Sequence, residues 1–181
     1  MRIVGGVARG RRFKVDEKSH VRPTTERVRE ALFDTLGQNL DGMTFLDICS
    51  GSGAISFEAV SRGADNVIAI ENNKICCDNI KKVAKVLQFE KKIEIFQEDA
   101  RNALVNLVDR GEKFDIIFFD PPWTDKTFAF DILNYLLVQN SFWRFFIFEF
   151  DKKFKISNLP SEVSSSIKEI RRYGGTNLLY F

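Results

Sequence analysis

The residues best suited to chemistry form one tetrapeptide, Asp120-Pro121-Pro122-Trp123. It follows an apolar run at 114–119 that predicts a buried strand. The two prolines remove N–H donors and fix the backbone, so the Asp120 carboxylate and a neighbouring carbonyl could both accept hydrogen bonds from one amino group. The Trp123 indole could stack on the ring that carries this amine. The pattern favours a slot for a nucleobase amine, with all four residues as catalytic candidates, although Asp-Pro and Pro-Pro are also common in plain turns.

Further acids and glycines stand at the ends of other predicted strands. Asp47 ends the first strand ahead of a loop with Gly51 and Gly53, Glu71 ends the second strand, and Asp99 follows the third. In doubly wound sheets the ligand binds at the carboxyl ends of the strands, where an acid commonly binds ribose hydroxyls. Any one of these acids could also be an ordinary cap or turn residue. The candidate cofactor-binding residues are Asp47, Gly51, Gly53, Glu71, Asn72, Asp99 and Ala100.

The chemistry of the glycine loop argues against a dinucleotide. Asp47 would repel a pyrophosphate, and Ser56 stands where the dinucleotide fingerprint needs glycine or alanine. A cofactor with a ribose and cationic groups but no phosphate would be attracted instead, and S-adenosylmethionine has that composition. Asp99 could accept a hydrogen bond from its adenine amino group while the Ala100 N–H faces a ring nitrogen. We therefore expect S-adenosylmethionine as the cofactor and no metal.

The elements that must position these residues alternate along the chain, which implies parallel βαβ units with both faces of the sheet covered. The predicted strands are 44–48, 67–71, 92–97, 114–119 and 144–150, and the predicted helices are 53–62, 74–87, 100–109 and 127–138. Segments 166–173 and 176–181 flank Gly174-Gly175 and predict an antiparallel hairpin. Near the start, residues 2–15 predict a second hairpin, and Thr24-Thr25 can begin a helix that stops at Gly37.

Composition excludes several classes of protein. An apolar fraction of 44% with 18 phenylalanines excludes general disorder, and 181 residues predict a single domain. Long apolar stretches and a signal peptide are absent from the sequence, so we expect a cytoplasmic protein away from the membrane. Three cysteines, two of them adjacent, fit neither a disulfide framework nor a zinc site. The single histidine, His20, is interpreted as a surface residue.

Charge is concentrated at the N-terminus. Residues 1–30 hold nine basic and four acidic residues, a net charge of +5, whereas the whole chain carries +2. A basic arm, residues 1–22, on a mildly acidic body favours a polyanionic partner over a merely solvated charged face. The candidate phosphate-binding residues are Arg2, Arg9, Arg11, Arg12, Arg22, Arg27 and Arg29.

Together these motifs resemble the class I, Rossmann-like, S-adenosylmethionine-dependent methyltransferases that act on nucleobase amines. The ends of the chain narrow the match, because Met1-Arg2-Ile3-Val4-Gly5-Gly6, Arg22-Pro23-Thr24-Thr25 and Tyr173-Gly174-x-Thr176 are similar to the bacterial 16S ribosomal RNA guanine-N2 methyltransferases. The resemblance implies a mostly parallel seven-stranded sheet with an antiparallel C-terminal strand. It also implies a 16S ribosomal RNA or small-subunit particle as the partner. We expect a monomer.

Two departures from that family and three alternatives remain. Trp123 replaces the tyrosine that usually closes the slot, and Cys49-Ser50 replace the usual Phe-Ala ahead of Gly51. The same slot would also suit a DNA adenine-N6 methyltransferase, although such enzymes typically need added mass to read a sequence. An NAD-dependent oxidoreductase is disfavoured by Asp47 and Ser56. A non-catalytic RNA-binding module on the same fold is disfavoured by the intact Asp120 slot.

Overall fold

The computed structural model describes residues 1–19, 21, 24–151, 156 and 159–181. The predictions for His20 and Arg22 lie outside these residues. The strands are β1 (Thr44–Ile48), β2 (Asn66–Ile70), β3 (Ile93–Phe96), β4 (Phe114–Phe119), β5 (Trp143–Asp151), β6 (Glu169–Tyr173) and β7 (Thr176–Tyr180). The helices are α1 (Glu26–Leu36), α2 (Ala54–Ser61), α3 (Lys74–Leu87), α4 (Ala100–Asp109), α5 (Lys126–Val138) and α6 (Ser161–Ser166).

The strands form one seven-stranded sheet in the order β3-β2-β1-β4-β5-β7-β6. The first five are parallel, and β7 runs antiparallel to both β5 and β6. This confirms the predicted α/β fold with its antiparallel C-terminal strand. The order reverses between β1 and β4, and such a reversal opens a crevice at the carboxyl ends of the strands.

Helices cover both faces of the sheet, and each face has its own apolar core. The first face carries Phe118 of β4 and Ile147 of β5, and it packs against α1, α2 and α3. The second face carries Phe119 and Phe148, and it packs against α4, α5 and α6. Side chains alternate between the two faces along a strand, so the residues that follow Phe119 in the chain and Phe148 in β5 can also be assigned to a face. None of the helices within the described residues is long and apolar enough to cross a bilayer.

The N-terminal arm is a narrow paired segment rather than two regular strands. One isolated bridge joins Arg2 and Arg12, and the Ile3 N–H donates to the Arg11 carbonyl at 3.0 Å. Ile3 is fully buried, and the Phe13 ring lies 5.1 Å from that of Phe57 in α2. The predicted hairpin therefore packs into the first core. Because only one bridge pairs its two sides, the expectation of two full strands over 2–15 was too regular.

One short helix had no signal in the sequence. Residues Ser161–Ser166 form α6, and β6 begins only at Glu169 rather than at Ser166 as predicted. The helix buries Val163. It is only six residues long and rich in serine, so its sequence is too short to show a helical period of apolar residues.

Candidate active site

The glycine loop after β1 is held from below by Asp47. Gly53 precedes α2 with a φ of +74° and has no side chain to cap the helix. Asp47 supplies the cap instead, because its carboxylate accepts from the Ser56 N–H at 3.0 Å and from the Ser56 hydroxyl at 2.5 Å. Ser56, the residue that departs from the dinucleotide fingerprint, thus orients the carboxylate beneath the loop.

Asp47 is 1% exposed, and this burial raises its pKa to about 7, against the opposing effect of the bonds from Ser56. It lines a small recess of about 30 Å³ beside Ser52 and Asp120, rather than the main cleft. The same setting bears on Cys49, whose pKa is raised well above its ordinary value by burial and by the carboxylates of Glu71 and Asp120. The Cys49 thiol therefore stays protonated, which agrees with its interpretation as a pocket-lining residue.

Glu71 connects the loop to the next helix. One oxygen accepts from the Gly51 N–H at 2.8 Å and the other from the Asn73 N–H at 2.8 Å. Asn73 in turn caps α3 by accepting from the Ile75 N–H at 2.8 Å. A carboxylate offers about four acceptor positions, so Glu71 retains capacity for hydroxyl donors from a ligand.

Asp99 caps α4, accepting from the Arg101 N–H at 2.9 Å. The Arg101 guanidinium lies 3.0 Å from the Asp131 carboxylate and 4.7 Å from the centre of the Phe128 ring. Asp99 and the neighbouring Ala100 both line the cleft.

The tetrapeptide after β4 is a rigid turn that leads into α5. The Asp120 N–H donates to the Ile48 carbonyl of β1 at 3.3 Å, and the Pro122 carbonyl accepts from the Asp125 N–H at 3.0 Å. Asp125 then caps α5 by accepting from the Phe128 N–H at 2.9 Å. The Pro-Pro pair therefore fixes the path of the chain between the end of β4 and the start of α5.

The half-buried Trp123 packs against β5. Its ring centre lies 5.7 Å from that of Phe148 and 6.0 Å from that of Phe150. Both rings belong to the second core, so the indole is anchored on one side while it lines the cleft on the other. An indole held in this way offers a fixed surface for stacking.

These elements enclose one cleft of about 800 Å³ at the reversal point of the strand order. It brings together the predicted residues Gly51, Glu71, Asn72, Asp99, Ala100, Asp120, Pro121, Pro122 and Trp123. Among the described residues that line it, seven are acidic and one, Arg101, is basic. The cleft therefore favours a ligand that carries positive charge or many hydrogen-bond donors.

Gly53 does not line the cleft, and its contact with the cofactor stays a prediction from the sequence. A Cβ atom at Gly53 would lie 2.9 Å from Ile80 and 3.1 Å from Phe57, both inside the first core. Packing and the positive φ are thus sufficient reasons for a glycine at this position. At Gly51, which does line the cleft, a Cβ would meet the Val21 side chain at 2.8 Å.

Sequence reasoning missed two parts of the cleft wall. Val21, Thr24 and Thr25 line it from the N-terminal side, where the Thr25 hydroxyl accepts from the Val28 N–H at 3.4 Å and caps α1. On the opposite side, Glu149, Phe150, Asp151, Gly175 and Thr176 line it from β5 and β7. The Thr-Thr pair could have been assigned from its position in the Arg-Pro-Thr-Thr block, but it was interpreted only as a helix start.

Arg29 is a correction to the predicted phosphate-binding set. It is 1% exposed, and its guanidinium donates to the Thr24 carbonyl at 2.6 Å and to the Arg2 carbonyl at 2.7 Å. It also lies 3.4 Å from the Glu58 carboxylate, which pairs with Arg62 as well. Buried and committed in this way, Arg29 ties α1 and the arm to α2 and cannot reach an RNA backbone.

The other predicted arginines within the described residues are exposed but unequally placed. Arg11 donates to the carbonyls of Val86 and Leu87 in the last turn of α3, a stabilising position for a cation. The 14 residues of α3 separate that end from the cleft by about 21 Å. Arg9 lies in the turn of the arm, beside residues that bond Ser61 at the far end of α2.

Arg2, Arg12 and Arg27 are connected to the start of α1. Arg2 pairs with Glu26 at 2.7 Å in the first turn of α1, the end of the helix that faces the cleft. Arg12 is the bridge partner of Arg2, and Arg27 follows Glu26 on the exposed side of α1. Exposed cations are thus present around the start of α1, whose cap Thr25 lines the cleft.

Comparisons with known proteins agree with this architecture. The model of the family described as "Conserved hypothetical protein 95" matches residues 1–181. The Bacillus subtilis (strain 168) protein YlbH, whose name assigns it provisionally to the rRNA methyltransferases, is 29% identical over 100% of this chain and 98% of its own length. "Ribosomal RNA small subunit methyltransferase D" of Escherichia coli K12 is 35% identical over 68% of this chain, and the match spans 60% of that relative. A solved structure of a hypothetical protein from Thermus thermophilus has a TM-score of 0.81 at 25% identity, over 99% of this chain and 98% of that one.

Proposed function

The chain belongs to the family described as "Conserved hypothetical protein 95", and from that premise we propose that it is an S-adenosylmethionine-dependent methyltransferase. Its substrate is the exocyclic N2 amine of a guanine in 16S ribosomal RNA. The observation that carries the proposal is the acid-lined cleft in which Glu71, Asp99 and the Asp120-Pro121-Pro122-Trp123 turn meet. The substrate is the small-subunit RNA or particle, and we expect the chain to act as a monomer.

The cleft residues suit this cofactor chemically. S-adenosylmethionine, when bound, supplies an electrophilic methyl group on a cationic sulfonium. The excess of acids in the cleft matches that positive charge, and Glu71 retains acceptor capacity for the ribose hydroxyls. Asp99, the Ala100 N–H and Asn72 would hold the adenine end, while Asp47 supports the loop from its buried recess.

Asp120 and Trp123 orient the amine. The Asp120 carboxylate accepts an N–H of the guanine amine and keeps its nitrogen aimed along the line of attack, so positioning supplies much of the rate. Trp123 stacks on the base taken out of its RNA surroundings, a contact worth ~1–3 kcal/mol. The indole performs the stacking of the usual tyrosine without its hydroxyl.

RNA reaches this cleft past exposed arginines. Arg2, Arg12 and Arg27 lie on the side of α1 and the arm that borders the cleft, and they contact phosphates. Arg9 lies further away and can meet only RNA that extends along the body, while Arg22 stays a prediction from the sequence.

The decisive experiment is mass spectrometry of ribosomal RNA from cells that lack this protein. We expect one N2-methylguanosine to disappear from 16S RNA and to return on complementation. Purified protein should then methylate small-subunit particles from the deletion strain and not duplex DNA. Unchanged 16S RNA, or N6-methyladenine formed in DNA, would instead favour the alternative of a DNA adenine methyltransferase.

A further inference from the structure

Resting on the proposed function, we propose that Glu149 determines the choice of base by accepting the N1–H of the target guanine, next to the amine held by Asp120. Glu149 belongs to β5, in a run of aromatic residues. The sequence predicts only a buried strand there.

The register of the sheet places Glu149 beside Asp120. Strands β4 and β5 are parallel neighbours, and Phe119 pairs with Phe148. Asp120 and Glu149 are the next residues along these two strands, so they lie side by side. Neighbouring strands lie about 4.8 Å apart. By alternation, Glu149 shares the first face with Ile147, and Asp120 follows Phe118 on that same face. Both residues line the cleft.

The stacking ring lies at the same segment of β5. Trp123 contacts Phe148 and Phe150, the two residues that flank Glu149 in the sequence. These two rings lie on the second face and Glu149 on the first, but Trp123, Asp120 and Glu149 all line the cleft at the carboxyl ends of the strands, so a base stacked on the indole would lie in the cavity that both carboxylates border. Glu149 is 7% exposed, so water competes weakly for its oxygens and a hydrogen bond there discriminates strongly.

The edge of guanine matches two adjacent acceptors. Guanine presents its N1–H next to the N2 amine, which is a pair of neighbouring donors. Adenine and cytosine present an amine next to an unprotonated ring nitrogen, which is an acceptor. The acceptor oxygens of Glu149 suit the first arrangement and face another acceptor in the second, so Glu149 disfavours bases whose amine would bond to Asp120 alone.

Asp151 provides a matched control. It lies two residues further along β5, lines the same cleft and pairs in register with Thr176, beyond the level of Asp120. The variants Glu149→Gln and Asp151→Asn thus remove the same charge from one strand. Circular dichroism and thermal melting of each variant would establish that both fold.

The substrate change removes the N1–H together with O6, and the comparison between variants isolates the part of the preference that depends on Glu149. The methylated guanine, once mapped, is replaced with 2-aminopurine in 16S RNA assembled by ligation and reconstituted into small-subunit particles. This base keeps the N2 amine and has an acceptor at N1. We expect the wild-type protein to prefer guanine by roughly 100-fold in kcat/KM, the discrimination of one charge-assisted hydrogen bond. Glu149→Gln should reduce the preference to roughly fivefold, because the glutamine amide can donate to the unprotonated nitrogen.

Each result decides a different point. A merely structural role for Glu149 would slow both substrates equally and leave the ratio unchanged, which would overturn the inference. Equal use of the two bases by the wild-type protein would overturn it too, and so would loss of preference in Asp151→Asn alone. Absence of methylation on guanine particles by the wild-type protein would instead refute the proposed function.

Discussion

Two buried carboxylates at α2, Asp47 of the strand before it and Glu58 of the helix itself, are stabilised differently. At the start of the helix, Asp47 is held by the hydroxyl and N–H of Ser56, which are neutral donors. Further along the helix, Glu58 lies between the guanidinium groups of Arg29 and Arg62 and also accepts from the Val4 N–H at 2.7 Å. Both carboxylates are 1% exposed.

The difference in partners between Asp47 and Glu58 follows from the role of the part of α2 that each contacts. The Glu58 cluster neutralises its charge internally and joins the arm to the body, so it serves stability. The Asp47 end lies in a buried recess beside the cleft, where only neutral donors compensate the carboxylate and its pKa rises to about 7. Neutral donors offset the desolvation of a buried carboxylate less than a guanidinium does.

Breaking the Glu58 cluster should have the largest effect. Arg29→Ala leaves Glu58 with one of its two guanidinium partners and removes the ties to Thr24 and Arg2, so we expect a loss of about 3–5 kcal/mol in the free energy of unfolding. Urea unfolding followed by circular dichroism would measure it. The exposed Arg27→Ala, two residues away on the same helix, should change stability by less than about 0.5 kcal/mol. Equal losses in the two variants would mean that the buried Glu58 cluster contributes no more to the free energy of unfolding than an exposed arginine does.

Removing the Asp120 acceptor in the cleft should affect the reaction without affecting the fold. Asp120→Ala should lower kcat by roughly 100–1000-fold, because the amine loses the group that orients it. Affinity for S-adenosylmethionine, measured by calorimetry, should stay close to wild type. Asp109→Ala at the exposed end of α4 is the control and should leave both unchanged. A fully active Asp120 variant would contradict the assignment of the slot.

The charge under the glycine loop should appear in the pH dependence of stability. Burial raises the pKa of Asp47 to about 7, above ~3.9 in an unfolded chain, so the native state binds more protons between these values. Stability must then fall as pH rises through this window. From pH 5 to pH 8 we expect a loss of roughly 2 kcal/mol in urea unfolding that is absent in Asp47→Asn. Ser56→Ala, which removes an opposing hydrogen bond, should make the loss larger; identical curves for all three proteins would rule out this origin.

The smallest effect separates the exposed arginines by position. Arg12→Gln should flatten the dependence of RNA affinity on salt concentration by about 0.7 in the log–log slope, the effect of one phosphate contact. Arg9→Gln removes the same charge from the turn of the same arm, near the far end of α2, and should change the slope less. Filter binding across a salt series would compare them. An equal change in both would mean that RNA follows the whole arm.

Sequence alone located several elements to the residue. β1, β4, α3 and α4 begin and end where predicted, because apolar runs of strand length and clear capping residues such as Asn73 and Asp99 define their limits. The seven-stranded topology came from the family resemblance together with the alternation. The acids at the strand ends were found because parallel strands must bring those ends to one edge.

What the sequence could not reveal depends on side-chain environment. Arg29 looks like a surface cation, and only its packing against Thr24, Arg2 and Glu58 shows that it is buried. Gly53 looks like a ligand-contacting glycine, although its neighbours are Ile80 and Phe57. Glu149 is hidden in an aromatic strand whose last residues reach the cleft. Each case required knowing which distant residue lies opposite.

The rim of the cleft consists of helix starts. Thr25, Asn73, Asp99 and Asp125 each cap a different helix, and all four line the cleft. A substitution that reshapes the pocket at one of these positions also frays a helix, at a cost of about 0.5–2 kcal/mol. A change of substrate specificity at these positions would therefore also lower the free energy of unfolding. A protein evolving a new specificity here would first need surplus stability. Alternatively, it would have to vary the walls that cap no helix, such as β5 and the Pro-Pro turn.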